Sequence, residues 1–512
     1  MTRTLRSALP PLLLVFLLAL AFVLPFQGTR HLWGTDEGRY SAVALEMLDS
    51  GDWLVPHRHP EHEHLSKPPM TYWALAVSMA AFGKNTWALR LPSALAFAMT
   101  IACVFAMGRR IVPERPWWPP LVCAGTAMIF LAANAISTDP LLCAFESLGM
   151  TGYVLAWRGE DERTARRGAW ILGLGFGLAF LTKGPPGLVP LIPSIWYWAR
   201  NRKDFRANPF TWTTLAIWAP IALTWFLAVV WNHPERLNYF LGYETYGRIF
   251  TRQADRHPQW YGWFVAYGPV ALVGALPWTL VIAWDAWRRR GQPKPEAADA
   301  DRKASRFLLS WLLVSLVVFC VSRSRLTLYV LPLLVPFGLW AALRTRHLAL
   351  GRTGRILLTL WFAFLLAVKI ALPLTHSPQL TGKDSRLLSD AIRAQVHEPF
   401  REIVFVDETA LYGLRVYLGT PVLRVDFGET TKPDVDLTLA QALAQHRPQR
   451  LWLVHMHTAD NFVFEVEHAG ERARQVASFA HYRCFVVDQP APVPAATPAP
   501  IGQLTPVPPS PQ

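Results

Sequence analysis

Residues 8–26, ALPPLLLVFLLALAFVLPF, form an apolar run long enough to cross a membrane, and a polar stretch follows soon after it. That stretch contains Asp36-Glu37-Gly38-Arg39-Tyr40, then Gly51-Asp52-Trp53, four histidines and finally Lys67-Pro68-Pro69. Charged groups beside hydrocarbon are costly, so a cluster held there is a candidate functional site. The alternative is a solvated loop that enters an amphipathic helix over Glu37–Leu48, and composition alone leaves both interpretations open.

The composition places the chain among polytopic membrane proteins. Of its 512 residues, 52% are hydrophobic and 17% are charged, against roughly 25% charged in a typical soluble domain. Apolar runs near membrane-spanning length recur through most of the chain. The net charge of +14 does not indicate nucleic-acid binding, because the basic residues form short clusters between apolar runs, as expected of cytoplasmic loops. These clusters are Arg109-Arg110, Arg158–Arg167, Arg200–Arg206, Arg288-Arg289-Arg290 and Arg344–Arg355.

Alternating the apolar runs across the membrane predicts eleven spans, with eleven to thirteen as the range. The N-terminal run follows Arg3 and Arg6 and is predicted to be a retained helix, not a cleaved signal peptide. Pro69–Phe82 is short and is predicted to be interfacial or re-entrant. Every basic cluster then falls on the cytoplasmic side. The predicted spans are about Ala8–Phe26, Leu89–Met107, Trp117–Ala135, Leu141–Trp157, Ala169–Thr182, Gly187–Trp198, Thr211–Trp231, Trp263–Trp287, Phe307–Val321, Thr327–Leu343 and Ile356–Leu374.

After residue 375 the pattern changes to that of a small α/β domain on the outer face. Short runs rich in Val, Leu and Phe alternate with segments of helical pattern. The sequence predicts a transmembrane domain over residues 1–375, an accessory α/β domain over 376–488 and a disordered Pro-rich tail over 489–512. The predicted strands are Arg401–Val406, Val422–Phe427, Leu451–His455 and Tyr482–Val487, and the predicted helices are Glu408–Leu418, Leu437–His446 and Ala469–Phe479.

The polar groups that this topology places outside suit group transfer from a lipid phosphate. Two acidic residues, Asp36 and Asp139, lie in separate outer segments, and several cations accompany them. A carboxylate can position or deprotonate an acceptor, while cations stabilise the departing phosphate. A lipid transporter or flippase is the alternative, but its ionisable groups are expected in broken helices at mid-membrane. The cations are Arg39, Lys67, Lys183, Arg248 and Arg325.

The order of the short motifs resembles that of membrane glycosyltransferases with a polyprenyl-linked donor, which belong to the GT-C superfamily. Within it, the chain is similar to the bacterial aminoarabinose transferases that modify lipid A and to the protein mannosyltransferases. The match runs over about residues 10–375 and is specific as an ordered set. The motifs are Asp36–Tyr40, Gly51–Pro56, Lys67–Pro69, Arg90–Leu95, Thr138–Pro140, Thr182–Pro185 and Ser322 through Tyr329–Pro332.

The resemblance implies a GT-C fold and an enzyme of the bacterial inner membrane with a periplasmic active site. The expected reaction moves a sugar from undecaprenyl phosphate to a periplasmic acceptor without a cofactor, 4-amino-4-deoxy-L-arabinose and lipid A being one such pair. A protein or another envelope glycan is the alternative acceptor. The implied roles are Asp36 and Asp139 as catalytic carboxylates, Arg39, Lys67, Arg248 and Lys183 as ligands of the donor phosphate, and Tyr40, Tyr329 and Glu37 as cavity-lining residues.

Two departures from the family pattern argue against a family metal site. The lipid A enzymes usually hold zinc through a Glu before the Lys-Pro-Pro and a His in a later outer loop, but Ser66 and Tyr243 stand there in this chain. Four other histidines offer imidazoles, yet their spacing matches no closed site, so no metal is predicted. Those histidines are His57, His59, His62 and His64. The five cysteines of the chain are scattered and are predicted to be packing residues.

Overall fold

The computed structural model describes residues 3–247, 256–291, 298–374, 383–428, 435–479 and 481–488. The chain divides into two compact units. The first comprises Met1–Ser389 together with Leu411–Gly419, and the second comprises Asp390–Ala410 and Thr420–Gln512. Leu411–Gly419 therefore belongs to the first unit although segments of the second flank it in the chain. Arg248 and the predicted tail over residues 489–512 lie outside the described residues.

The first unit is mainly helical, and its helix ends follow the local sequence. Side chains of Asn85, Ser137 and Asp161 accept hydrogen bonds from first-turn N–H groups and cap three long helices. The helices are α1 (Arg3–Val23), α2 (Gly34–Ser50), α3 (Met70–Phe82), α4 (Thr86–Ile111), α5 (Trp118–Ala124), α6 (Ala127–Ala132), α7 (Thr138–Arg158), α8 (Glu162–Lys183), α9 (Leu191–Arg200), α10 (Trp212–Asn232), α11 (Arg236–Asn238), α12 (Gly262–Pro269), α13 (Trp278–Arg288), α14 (Asp299–Val321), α15 (Leu334–Thr345), α16 (Arg352–Ala371), α17 (Ser385–Gln395, which continues into the second unit) and α18 (Leu414–Leu418).

Shorter elements connect these helices. Pro185–Leu188, Arg202–Asp204, Thr327–Leu333 and Leu372–Leu374 are 3₁₀-helical, and Tyr239–Gly247 and Val270–Gly274 are π-helical. The polar stretch between α2 and α3 contains a small antiparallel hairpin of β1 (His57–His59) and β2 (His62–Glu63).

By length and composition, five described helices can cross a membrane. They are Thr86–Ile111, Trp212–Asn232, Asp299–Val321, Thr327–Thr345 and Arg352–Leu374, and the bent pair Gly262–Gly274 and Trp278–Arg288 adds one if it forms a single span. Some predicted spans are interrupted: Trp117–Ala135 is split into α5 and α6, and Gly187–Trp198 into a 3₁₀ turn and the ten-residue α9. The total of eleven to thirteen spans stays a prediction.

Two of these helices expose apolar side chains over most of their length, as lipid-facing spans do. Only 22% of the apolar window of α10 and 11% of that of α16 is buried within the protein. Trp212 and Trp231, near the two ends of α10, are 80% and 87% exposed. Trp is favoured at both membrane interfaces, so this placement suits a membrane-spanning helix. The chain is a multi-pass membrane protein.

Glycines bring α7 and α8 into backbone contact. A methyl group on Gly175 would lie 2.2 Å from the Gly149 nitrogen, and one on Gly152 would lie 2.4 Å from the Gly168 carbonyl oxygen. Small residues at such crossings let membrane helices pack closely. Because residues 159–161 alone connect the two helices, the close packing brings the start of α7 next to the end of α8.

The second unit is built on a six-stranded sheet. Its strands are β3 (Glu402–Val406), β4 (Val422–Asp426), β5 (Leu437–Thr438), β6 (Arg450–His455), β7 (Arg472–Phe479) and β8 (Tyr482–Asp488), and its helices include α19 (Leu439–Ala444) and α20 (Ala459–His468). The strand order is β5-β4-β3-β6-β8-β7; the first four strands are parallel, and β8 and β7 pair antiparallel. Val404, Leu423 and Val454 are fully buried in its core.

The four predicted strands of this unit are confirmed to within one residue at each end. The helix predicted over Ala469–Phe479 is wrong. Gly470, at a φ of 80°, turns the chain after α20, and the following residues form β7 because they pair along β8. In Glu408–Leu418 only Leu414–Leu418 is helical, and Leu437–His446 begins with the two-residue strand β5.

Candidate active site

The first turns of α2 carry two of the predicted site residues. Asp36 and Glu37 stand in the first turn, where the helix dipole favours negative charge. Asp36 forms an ion pair with Arg39, three residues later. The Asp36 side chain is 54% exposed and the Arg39 side chain only 10%. The carboxylate is therefore accessible to a ligand, while the guanidinium is held by its surroundings.

Glu37 joins three segments of the first unit. Its carboxylate pairs with Arg30 and with the fully buried Arg90 of α4, 3.1 Å away, and accepts hydrogen bonds from the N–H groups of Trp33 and Ile136. Burial by itself raises the pKa of Glu37, but Arg90 and Arg30 outweigh it and hold the pKa below its usual range. We assign Glu37 a structural role in place of the cavity-lining role expected from the sequence.

Asp139, Lys183 and Tyr329 form a second group. Asp139 lies in the first turn of α7, where its N–H donates to Ser137 Oγ at 3.2 Å. Its buried carboxylate pairs with Lys183 at the end of α8. The ammonium of Lys183 lies 4.0 Å from the centre of the Tyr329 ring, and Arg256 Nη1 donates to the Tyr329 hydroxyl at 3.3 Å. The α7–α8 hairpin thus supplies a carboxylate and a cation at one point.

Tyr40 connects the two groups. It is buried, and its ring centre lies 5.5 Å from that of Tyr72 in α3. Burial raises the pKa of Tyr40 well above its usual value, and the negative potential of both Asp36 and Asp139 adds to the shift, while Arg39 opposes it. Because charges act this way only at short range, both predicted catalytic carboxylates lie near Tyr40.

Lys67 lies on the α3 side of the same site. Its ammonium is 3.6 Å from the Glu244 carboxylate, and both side chains are largely buried. Glu244 belongs to the π-helical segment Tyr239–Gly247, a rare geometry that is frequent at functional sites. Burial raises the pKa of Tyr72, with Arg39 opposing and Glu244 adding to the shift. Tyr72 therefore lies near both Arg39 and Glu244.

Three further residues of the sequence analysis have different outcomes. Arg248 lies outside the described residues. Arg325 donates to the carbonyl groups of residues 257, 259 and 320, so it holds backbone together. Ser66 Oγ lies 2.8 Å from His64 Nε2. A neutral hydroxyl engaged in this way does not replace the carboxylate ligand of the family zinc site, so that site does not fit this chain.

A remote segment supports α2. Arg415 of α18 pairs with Glu46 on α2, both side chains being 6% exposed, and also with Asp49 at 3.2 Å. A methyl group on Gly38 would lie 2.3 Å from the backbone nitrogen of Gly413, so the two backbones touch. The short return of the chain over Leu411–Gly419 thus fixes the helix that carries Asp36 and Arg39.

Comparisons with known proteins show which families and folds this chain is similar to. Residues 66–231 match the family model of dolichyl-phosphate-mannose-protein mannosyltransferases. The chain is 30% identical over 338 residues to the undecaprenyl phosphate-α-4-amino-4-deoxy-L-arabinose arabinosyl transferase of Serratia proteamaculans, covering 65% of this chain and 58% of that protein. It is 32% identical over 354 residues to the second transferase of that name in Pseudomonas fluorescens Pf0-1, covering 65% and 59%.

The crystal structure of ArnT from Cupriavidus metallidurans bound to undecaprenyl phosphate matches this chain with a TM-score of 0.70 at 20% identity, covering 92% of this chain and 97% of that one. The chain has the GT-C fold. The family resemblance and the fold class predicted from the motifs are confirmed. The chain spans about three fifths of the length of the curated relatives it matches, from 58% to 60% for the first three.

In this GT-C fold, Asp36, Arg39 and Asp139 lie near Tyr40. Lys183 contacts Asp139 and Tyr329, and Lys67 pairs with Glu244 near Tyr72. Sequence reasoning missed Tyr72, Glu244 and Arg415. Glu244 carried a signal, since it is an acidic residue in a segment predicted to lie outside. Arg415 carried none, because its partners on α2 lie more than 360 residues away in the chain.

Proposed function

We propose that the chain is a membrane glycosyltransferase that moves a sugar from a polyprenyl phosphate to an acceptor on the periplasmic side. The observation that carries this proposal is the placement of Asp36 and Asp139 near Tyr40, with Arg39 and Lys183 ion-paired to them and Lys67 ion-paired to Glu244. Carboxylates and cations at one membrane-proximal site are what transfer from a lipid phosphate needs. Arabinosyl transferases among its relatives are named for an undecaprenyl phosphate sugar.

The reaction assigns each group a task. An acceptor oxygen bonds to the anomeric carbon of the sugar, the bond from that carbon to the phosphate oxygen breaks, and polyprenyl phosphate leaves with the electron pair. Asp36 takes the proton of a hydroxyl acceptor, because its carboxylate is the exposed one. Arg39 and Lys67 neutralise the charge that develops on the departing phosphate. The buried Asp139–Lys183 pair orients groups at the site.

The purified chain with a short-chain polyprenyl-phosphate sugar and an acceptor tests the activity. Release of free polyprenyl phosphate with sugar on the acceptor supports the proposal. Movement of unaltered lipid between the leaflets of a proteoliposome, without release of polyprenyl phosphate, would show a flippase instead. The same assays without the protein serve as the blank.

Two acceptor classes follow from the relatives. The arabinosyl transferases favour 4-amino-4-deoxy-L-arabinose as the sugar and lipid A as the acceptor, whereas the mannosyltransferase family model over residues 66–231 favours a protein or another envelope glycan. We favour lipid A because the arabinosyl transferases match more of the chain. Mass spectrometry of lipid A and of envelope glycans from a deletion strain separates the two, since only the true acceptor loses its sugar.

The proposal also assigns sides of the membrane. The α2–α3 region and the α/β domain over residues 376–488 lie in the periplasm, and residues 1–375 form the transferase domain of an inner-membrane protein. Cysteine labelling with an impermeant reagent in intact spheroplasts tests this at three exposed positions, Lys84, Arg163 and Glu467. Lys84→Cys and Glu467→Cys should be labelled and Arg163→Cys should not. Background is low because four of the five native cysteines are buried and Cys320 is half-buried.

A further inference from the structure

The hairpin between α2 and α3 gathers three side chains of metal-binding type. The antiparallel register sets His59 opposite His62, and their ring centres are 5.4 Å apart. Glu61 lies in the turn between them. One ligand-type atom of each of these three residues lies within 4.8 Å of those of the other two. The donor atoms of His59, Glu61 and His62 therefore lie close to one another.

The donor set selects the kind of ion. Two imidazoles and one carboxylate suit zinc, whereas magnesium and calcium prefer oxygen ligands throughout. Zinc bonds of about 2.0–2.1 Å place two tetrahedral ligands roughly 3.3 Å apart, so small side-chain rotations bring the observed donors into range. We propose that His59, Glu61 and His62 bind a zinc ion, with the fourth position left to water or an anionic oxygen.

This site differs from the zinc site that the family resemblance implies. The family ligands fall at Ser66 and Tyr243 of this chain, whereas the proposed ligands all belong to the hairpin and its turn. The spacing that matched no closed site in the sequence becomes suitable once β1 and β2 pair, because pairing sets His59 opposite His62 with their rings tilted by 44°. The proposal thereby departs from the sequence prediction that the histidine cluster holds no metal.

The hairpin has a physical need for such a cross-link. Its strands have only three and two residues, and short two-stranded hairpins are marginally stable in water. Outside the turn it is fixed at Glu63, which pairs with Arg236 at 2.7 Å, and at Arg58, which stacks on the Tyr412 ring at 4.5 Å. His59 is 2% exposed, so one ligand is already held in position. A metal ion would fix the remaining turn.

Metal binding to the full-length protein in detergent tests the proposal. The protein is stripped with EDTA, equilibrated with Zn²⁺ and desalted, and bound zinc is measured by mass spectrometry. Wild type should keep about one zinc ion more per chain than His59→Gln/His62→Gln. The matched control is His57→Gln in the same hairpin, whose ring bonds to the Val55 carbonyl at 2.8 Å and which lies outside the cluster; it should behave like wild type.

A second variant guards against misfolding of the double mutant. Glu61 is exposed, so Glu61→Gln keeps the hairpin intact while removing one ligand. It should weaken zinc binding at least about tenfold, and zinc should raise the unfolding temperature of wild type but not of this variant. Magnesium should raise the unfolding temperature of neither wild type nor this variant. Equal zinc content in wild type and the double variant, or unchanged affinity in Glu61→Gln, would overturn the proposal.

Discussion

Replacing Asp36 with Asn separates catalysis from stability, because the two effects differ widely in size at this position. The Asp36 side chain is 54% exposed and pairs with its helix neighbour Arg39, so the lost ion pair costs about 0.2–1 kcal/mol of folding free energy. A general base contributes roughly 10²–10⁴-fold to rate, equivalent to about 2.7–5.4 kcal/mol in the activation barrier. With a hydroxyl acceptor, Asp36→Asn should therefore reduce turnover by that factor in a protein that folds normally.

Single-turnover release of polyprenyl phosphate by purified wild type and variant measures the effect, with unfolding temperature as the check on folding. The matched control is Asp49→Asn on the same helix, because Asp49 is 46% exposed and ion-paired to Lys84 at 2.7 Å. The control should keep its rate within a few fold. Near-normal turnover of folded Asp36→Asn would refute the role of Asp36 as base. A phosphate acceptor is largely ionised at neutral pH and needs no base, so the result also reports on the acceptor.

Three further predictions follow from contacts in the first unit. Asp139→Asn leaves the buried Lys183 ammonium without its carboxylate and should cost about 3–5 kcal/mol of folding stability, measured as a lower unfolding temperature. The double variant Asp139→Asn/Lys183→Gln should largely restore that temperature, and an equal loss in both variants would contradict the ion-pair explanation. Glu37 has a lowered pKa, so its stabilising effect is complete above its unfolded pKa of about 4.3 and is lost as the pH falls through its folded pKa. As the pH falls through this range, the unfolding temperature of wild type should drop more steeply than that of Glu37→Gln. Parallel plots of unfolding temperature against pH would contradict this explanation. Gly38→Ala forces a methyl group against the backbone of Gly413, so it should lower folding stability by about 1–3 kcal/mol and also lower turnover. Unchanged stability would show that α2 and the segment Leu411–Gly419 separate readily.

The site residues that the sequence predicted are those whose chemistry is visible locally. Asp36, Arg39 and Lys67 stand in a polar stretch between apolar runs, so their type and position sufficed to select them. Lys183 was selected as a phosphate ligand and Asp139 as a catalytic carboxylate, but their pairing was not predicted. This pairing depends on glycine contacts between α7 and α8, and helix spacing alone does not reveal which helix faces will meet.

The parts that the sequence did not predict depend on distant contacts. Arg415 was assigned to a helix of the outer domain, yet it lies in the first unit on Glu46 of α2. The segment Arg472–Phe479 has a helical pattern, but pairing along β8 decides its structure. Local periodicity reports which residues are apolar, whereas the partner that covers them is set by the rest of the chain.

The charge arrangement at the site links donor binding to acceptor activation. Arg39 pairs with Asp36, Lys67 with Glu244, and Lys183 with Asp139. On the proposed function, a lipid phosphate that approaches Arg39 competes with the Asp36 carboxylate for the same guanidinium. Once released from that ion pair, the Asp36 carboxylate can accept a hydrogen bond from the acceptor hydroxyl. Binding of the donor thereby frees the carboxylate that the acceptor needs, and without a bound phosphate Asp36 stays paired with Arg39.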